Sequence, residues 1–139
     1  MSLILIVDDA PVGREALAKW LQREGYQTMT ARNGAEGLVR LKEGKPDLIL
    51  LDHMMPEVDG LTFLAGMRRF PKWKSIPVIM MTGIHDNVHR MKANSLQVSE
   101  YLVKNEYTPQ DLLQHIRKHV APPQIAPPTT IAPAAPMAE

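Results

Sequence analysis

Three runs of strand length, at residues 3–7, 47–51 and 77–82, are apolar almost throughout. An alternating run marks a strand with one wet face. A continuous run marks a strand covered on both faces, as in a parallel sheet between two layers of helices. Weaker candidates at 27–31 and 100–103 bring the expected strands to five. Between them lie segments with helical spacing, such as Ala16, Leu17, Trp20 and Leu21, which share one stripe. Asn33 with Glu36 reads as a capping box that opens a helix through Leu41, and Gly44 with Pro46 closes it. Thr108, Pro109 and Asp111 open a last helix expected to end near Val120. The hydroxyl caps it, the proline takes the first turn, and the acid sits at the positive end of the dipole. Strand and helix alternating five times predict a doubly wound α/β fold, a five-stranded parallel sheet with five flanking helices.

Sheets of this kind bind ligands beyond the carboxyl ends of their strands. The side chains that fall there are Asp8 and Asp9 after the first strand, Asp52 after the third, Thr82 after the fourth and Lys104 after the fifth. Three carboxylates at one sheet edge repel one another unless a cation joins them. Mg2+ suits them, because it takes oxygen ligands in octahedral geometry and leaves room for waters, a main-chain carbonyl and a phosphate oxygen. Adjacent aspartates after a strand equally serve as plain helix or turn caps, so Asp8 and Asp9 alone leave both readings open. Lys104 adds a fixed positive charge beside the pocket, and Thr82 followed by Gly83 adds a hydroxyl under open space. Taken singly, these two are a surface lysine and a strand-end threonine. Together the set describes an aspartate that attacks phosphorus in line, with metal and ammonium absorbing charge on the phosphoryl oxygens. The resulting acyl phosphate carries more charge than the carboxylate did, so it can draw in a hydroxyl and reorder a loop.

Composition narrows the remaining classes. A chain of 139 residues holds one domain of common size. Its formal charge of +1 arises from 16 basic and 15 acidic residues mixed along the chain. That mixture lacks the basic stripe needed to grip a phosphate backbone, so direct nucleic-acid binding is disfavoured. The absence of cysteine removes disulfides and thiol catalysis. The first apolar run ends in Asp8 and Asp9 and is too short and too acidic there for a signal peptide or membrane span. No membrane association and a cytoplasmic location are therefore expected. Beyond Val120 come Pro122, Pro123, Pro127, Pro128, Pro133 and Pro136 among alanines and threonines, with Glu139 the one charge. That composition cannot build a packed core. The expected organisation is a folded domain over residues 1–120 and a disordered Pro/Ala-rich tail or linker, extended and polyproline-like, over 121–139.

The string Asp52-His53-Met54-Met55-Pro56-Glu57-Val58-Asp59-Gly60, the pair Asp8-Asp9, Thr82-Gly83 and Tyr101-Leu102-Val103-Lys104 resemble the motifs of response-regulator receiver domains in two-component phosphorelay signalling. The resemblance covers about residues 2–120, with the motifs in the family's order and spacing. It implies a flavodoxin-like strand order 2-1-3-4-5. It also implies Asp52 as phosphoacceptor, Asp9 as a direct Mg2+ ligand, Asp8 as a ligand more often acting through water, and the Met54 carbonyl as a main-chain ligand. Lys104 would contact the phosphoryl group, Thr82 would move toward it, and Tyr101 would change rotamer with it. Pro56 and Gly60 would shape the loop before the third helix, from which Leu61 and Leu64 pack inward. The implied partners are a sensor histidine kinase or phosphotransfer protein upstream and an output domain or target protein downstream. The latter would read the surface near Tyr101 and the fourth and fifth helices, and a homodimer is compatible with this. So read, the chain is a regulatory phosphoacceptor and not an enzyme, its chemistry limited to self-catalysed phosphotransfer and slow autodephosphorylation.

The sequence departs from the family pattern in places. Proline usually follows the lysine, joined by a cis bond, whereas Asn105 stands here. A cis bond before a non-proline residue costs about 3 to 4 kcal/mol, so a trans bond with Lys104 still reaching the site is expected. Met54 and Ile84 are large and apolar and flank the path of a hydrolytic water, which predicts slow self-dephosphorylation. His53 should point to the side away from Asp52. His85 and His89, and His115 and His119, are each four apart, the spacing for a metal on a helix face; exposed histidines are the simpler reading. Arg68, Arg69, Lys72 and Lys74 form either a docking patch or, more simply, a helix-end pair and two loop lysines. Two rival functions stand beside the switch. A phosphorylation-independent interaction scaffold is kept open by Asn105, and a hydrolase is disfavoured by Met54, where a second acid would stand.

Overall fold

Strands β1 (Leu3–Val7), β2 (Gln27–Ala31), β3 (Leu48–Asp52), β4 (Val78–Thr82) and β5 (Glu100–Val103) alternate with helices α1 (Pro11–Arg23), α2 (Gly34–Glu43), α3 (Gly60–Arg68), α4 (Asn87–Ser95) and α5 (Pro109–His119). These assignments come from a computed structural model that describes residues 2–52, 60–82, 87–104 and 106–120. The expectations for His53, Met54, Pro56, Gly83, Ile84, His85, Asn105 and the tail fall outside the described residues. All strand pairs are parallel, in the order β2-β1-β3-β4-β5. The chain steps from β1 outward to β2 and then back across to β3, so the order reverses between β1 and β3, where Val7 lies beside Leu51. A crevice opens at such a reversal because the connecting helices leave to opposite faces.

Continuous apolarity has the expected consequence that both faces of the sheet are dry. Leu5, Val7, Ile49, Leu51, Val78 and Met80 point into one core with Leu41, Phe63, Leu64, Met67 and Ala93 from α2, α3 and α4. Ile4, Ile6, Leu48, Leu50, Ile79 and Met81 point into the other with Ala18, Leu21, Leu112 and Ile116 from α1 and α5. Each fully buried side chain of this size contributes about 1.5 to 3 kcal/mol of transfer free energy, which makes the central strands the rigid base of the site. On α1 the buried stripe centres on Ala18 and Leu21, with Leu17 and Trp20 half-buried at its edge and Ala16 exposed. Where α2 crosses α3 the helices approach closely, since a Cβ on Gly37 would stand 2.9 Å from the Phe63 ring.

The helix starts follow their caps. Asn33 accepts from the Glu36 amide at 2.8 Å, but the Glu36 carboxylate returns one residue earlier than a capping box requires, to the Arg32 amide at 3.1 Å. At α5 the reciprocal box is complete, Thr108 Oγ1 accepting from the Asp111 amide and Asp111 accepting from the Thr108 amide. Those bonds hold the exposed Asp111 carboxyl below the usual carboxylate range. Leu64 is buried and Leu61 partly so, both facing the core as expected.

One surface expectation is corrected. His115 and His119 are not exposed histidines: their rings are half-buried, and each places a nitrogen 3.2 Å from a different oxygen of Glu100 on β5. The side of α5 that carries them lies against the sheet edge, which helical spacing alone does not reveal. The basic group at the end of α3 follows its simpler reading, with Arg68 in the last turn of the helix and Lys72 and Lys74 in the loop beyond it. Arg68 bonds to main-chain carbonyls of two loops, and Lys72 lies over the ring of buried Trp73 at 5.0 Å. Arg69 and Lys74 remain exposed.

Candidate functional site

Asp8 and Asp9 follow β1, and Asp52 is the last residue of β3, so the crevice between these strands collects all three carboxylates. One oxygen from each lies within 4.8 Å of the others. Asp8 is 8% and Asp52 4% exposed, while Asp9 faces solvent. The loop holding the pair is fixed by its own backbone. Asp8 donates its amide to the Ala31 carbonyl at 3.0 Å, its Oδ1 accepts from the Ala10 amide at 3.0 Å, and its carbonyl accepts from Arg14 Nη1 at 2.9 Å.

Lys104 closes the other side. Its amide donates to the Thr82 carbonyl at 2.6 Å, which prolongs the β4–β5 ladder by one bond, and its ammonium reaches Asp52 Oδ1 at 3.4 Å. The ammonium therefore faces the carboxylate with Asn105 in place of the family's usual proline. Thr82 ends β4 fully buried, beside Val103 in register, and Tyr101 sits half-buried against the α3–α4 side of the core. Of the expected site residues, Asp8, Asp9, Asp52, Thr82 and Lys104 converge on one sheet edge. Tyr101 lies three positions back along β5, and Met54 is outside the described residues.

Ionised together, three carboxylates and one ammonium leave an excess of two negative charges in a largely buried crevice, a costly arrangement without a further cation. The donor set, all oxygen and open on the solvent side at Asp9, fits a hard divalent ion and not a soft one.

Sequence reasoning did not single out Tyr107. Its phenol is pushed above the ordinary value, first by burial and then by the charges of Asp52 and Asp8. Its folded pKa thus exceeds its unfolded value of about 10. The associated stability is fully present below that pH and is lost as pH rises through the folded value. Replacing Asp52 by Asn removes one of the charge contributions but not burial. The Tyr107 phenolate absorbance should then rise at lower pH than in wild type, still above the ordinary value. Coincident titration curves in the two proteins would refute the electrostatic link.

A doubly wound parallel sheet with an aspartate-rich crevice at its switch point and a lysine across from it is the frame of a phosphoacceptor domain. The family model described as response regulator receiver domain matches residues 4–117. The chain is 31% identical over 104 residues to protein PilH of Pseudomonas aeruginosa, an overlap that takes in 75% of this chain and 86% of PilH. It is 36% identical over 104 residues to the sensor histidine kinase CheAY of Helicobacter pylori, covering 73% of this chain but 13% of that protein. With the transcriptional regulatory protein AfsQ1 of Streptomyces coelicolor it shares 37% over 103 residues, 74% of this chain and 44% of AfsQ1. The chain thus spans less than half of these last two relatives. Among solved structures it resembles chemotaxis protein CheY4 of Vibrio cholerae, with a TM-score of 0.80 and 28% identity over 86% of this chain and 99% of that one. It also resembles response regulator TrrA of Thermotoga maritima, solved in complex with Mg2+ and BeF, with a TM-score of 0.75 and 34% identity over 86% and 100% of the two chains.

The chain belongs to the response-regulator receiver-domain family of two-component systems. Domains of this family are regulatory and not true enzymes, work as phosphorylation switches, and bind Mg2+ at the acidic phosphorylation site. Among the described residues, no helix is long and apolar enough to cross a membrane.

Proposed function

We propose that this protein is a phosphorylation-dependent signalling switch in which Asp52 takes a phosphoryl group from a phosphohistidine on a sensor kinase or phosphotransfer protein. The observation that carries this reading is the Lys104 ammonium at 3.4 Å from a buried Asp52 carboxylate that shares its crevice with Asp8 and Asp9. Asp8, Asp9, Asp52 and the Met54 carbonyl would hold Mg2+. The ion supplies charge neutralisation at the phosphoryl oxygens when bound. The chain's own groups do the rest. An Asp52 oxygen attacks phosphorus as the bond to the histidine nitrogen breaks, and Lys104 pairs with a phosphoryl oxygen. The added charge at Asp52 gives the Thr82 hydroxyl an acceptor to move toward. Tyr101, close behind on β5, carries the change to the surface around α4 and α5, where an output domain or target protein reads it. The receiver unit is residues 1–120, and 121–139 form the tail.

The test is Mg2+-dependent uptake of a phosphoryl group from a small phosphodonor such as acetyl phosphate. Uptake with about one group per chain is expected; no uptake in the wild-type protein would leave the phosphorylation-independent scaffold as the better account. The lifetime of the acyl phosphate tests a finer point. By the family resemblance Met54 and Ile84 would flank the water's approach, and on that reading Met54→Asn and Ile84→Ala should each shorten the lifetime by roughly tenfold, as a correctly placed nucleophile regains its in-line path. Lifetimes equal to wild type would show that these side chains do not limit hydrolysis.

A further inference from the structure

We propose that the proline-rich tail folds back along α5 and seats Pro127 and Pro128 in an apolar groove between α1 and the start of α5. The groove has a volume of about 520 Å3 and is walled by Leu17, Trp20, Tyr107, Pro109 and Leu112, with Lys104 at its rim. Trp20 and Tyr107 each rest one side on the α1–α5 core and leave the rest of the ring exposed. Aromatic-lined grooves of this kind suit polyproline segments, whose extended form is already populated before binding and therefore loses little entropy.

Length and starting point favour the chain's own tail over a separate ligand. Val120, the last residue before the tail, is buried in the same α1–α5 core that Trp20 and Tyr107 border, so the tail starts on the groove's side of the sheet. Pro109 to His119 is 11 residues of helix, roughly 16 Å at the usual rise. A polyproline segment advances about 3.1 Å per residue. About five such residues span that length, so a tail that turns back at Pro122 and Pro123 would bring Pro127 and Pro128 level with Tyr107. A tether this short sets an effective concentration on the order of millimolar, so even a weak contact is populated. The groove is mostly apolar, and residues 121–138 carry no charge to desolvate. Lys104 joins this groove to the acidic crevice, since the same ammonium contacts Asp52.

The two tryptophans supply an internal control, because Trp73 is buried in the core on the opposite face. In proton–nitrogen spectra, the Trp20 indole resonance should differ between the full chain and residues 1–120, which contain all ten elements and both cores, while Trp73 stays in place. Pro127→Ala with Pro128→Ala in the full chain should move Trp20 to its position in 1–120. Because the chain has no cysteine, Ala126→Cys can carry a lone spin label, which should broaden the Trp20 indole and lose that effect when Pro127 and Pro128 are replaced. A Trp20 resonance identical in the full chain and 1–120 would overturn the proposal. A difference that vanishes on dilution would overturn it too, by assigning the groove to a second copy of the chain.

Discussion

Asp52→Asn should fold, take up no phosphoryl group from acetyl phosphate, and show no Mg2+-dependent response to beryllofluoride. The loss is expected to be complete and not graded, because the amide is not a nucleophile toward phosphorus and no other carboxylate faces Lys104 at contact distance among the described residues. Stability should move the other way in metal-free buffer. Asp52 sits 4% exposed beside Asp8 and Asp9, and a neutral amide there relieves like-charge repulsion at a buried position. The lost pairing with a Lys104 that is 43% exposed offsets this by well under about 1 kcal/mol. The substituted protein should therefore unfold at higher urea than wild type without Mg2+. Wild type gains stability from the ion as RT ln(1 + [L]/Kd), about 1.4 kcal/mol at tenfold excess, and Asp52→Asn should gain far less. If the variant still gained as much from Mg2+, Asp52 would not be a ligand. If it still incorporated phosphate, the nucleophile would be another residue.

The fold and much of this site were legible in the sequence for one physical reason: strand burial on both faces is a property of composition, needing no knowledge of partners. Each strand boundary fell within a residue of its expected place. The residue of error at β3 is instructive. The apolar pattern gives a strand over 47–51, yet the ladder runs on through Asp52, paired with Met81. Asp47 instead drops out, and its carboxylate accepts the Leu3 amide at 2.8 Å. Hydrophobicity shows what is buried, whereas ladder ends depend on neighbouring strands. The same distinction explains what was missed. Glu100 between His115 and His119, Tyr107 beside the acidic crevice, and Arg68 among distant carbonyls are meetings of residues far apart in the chain. No local pattern encodes them.

Arg68 carries the largest stability effect expected outside the site. Its Nε donates to the Leu96 carbonyl at 3.2 Å, Nη1 to Lys74 at 2.7 Å and Ile76 at 2.8 Å, and Nη2 to Gln97 at 2.9 Å. One guanidinium thus fastens the end of α3 to the loops that lead into β4 and β5. Desolvation lowers its pKa, but an arginine remains charged at any working pH. Gln97 has a φ of 63°, a left-handed conformation that costs a non-glycine residue roughly 1 to 2 kcal/mol, and the bond to its carbonyl helps to hold it there. Arg68→Ala should destabilise the domain by about 2 to 4 kcal/mol, since hydrogen bonds to a charged group are among the stronger ones and the stranded carbonyls include half-buried ones. Arg68→Lys should recover less than half of that, because a single ammonium cannot span four carbonyls on two loops. Arg69→Ala, one residue on and exposed, should stay within about 0.5 kcal/mol of wild type. Urea midpoints for the three variants decide the matter. A loss under 1 kcal/mol for Arg68→Ala, or full rescue by lysine, would mean that the loops hold their places through β4–β5 pairing alone. In the expected case, amide exchange should quicken first at Gln97 to Ser99, where the loop enters the strand that bears Tyr101 and leads to Lys104.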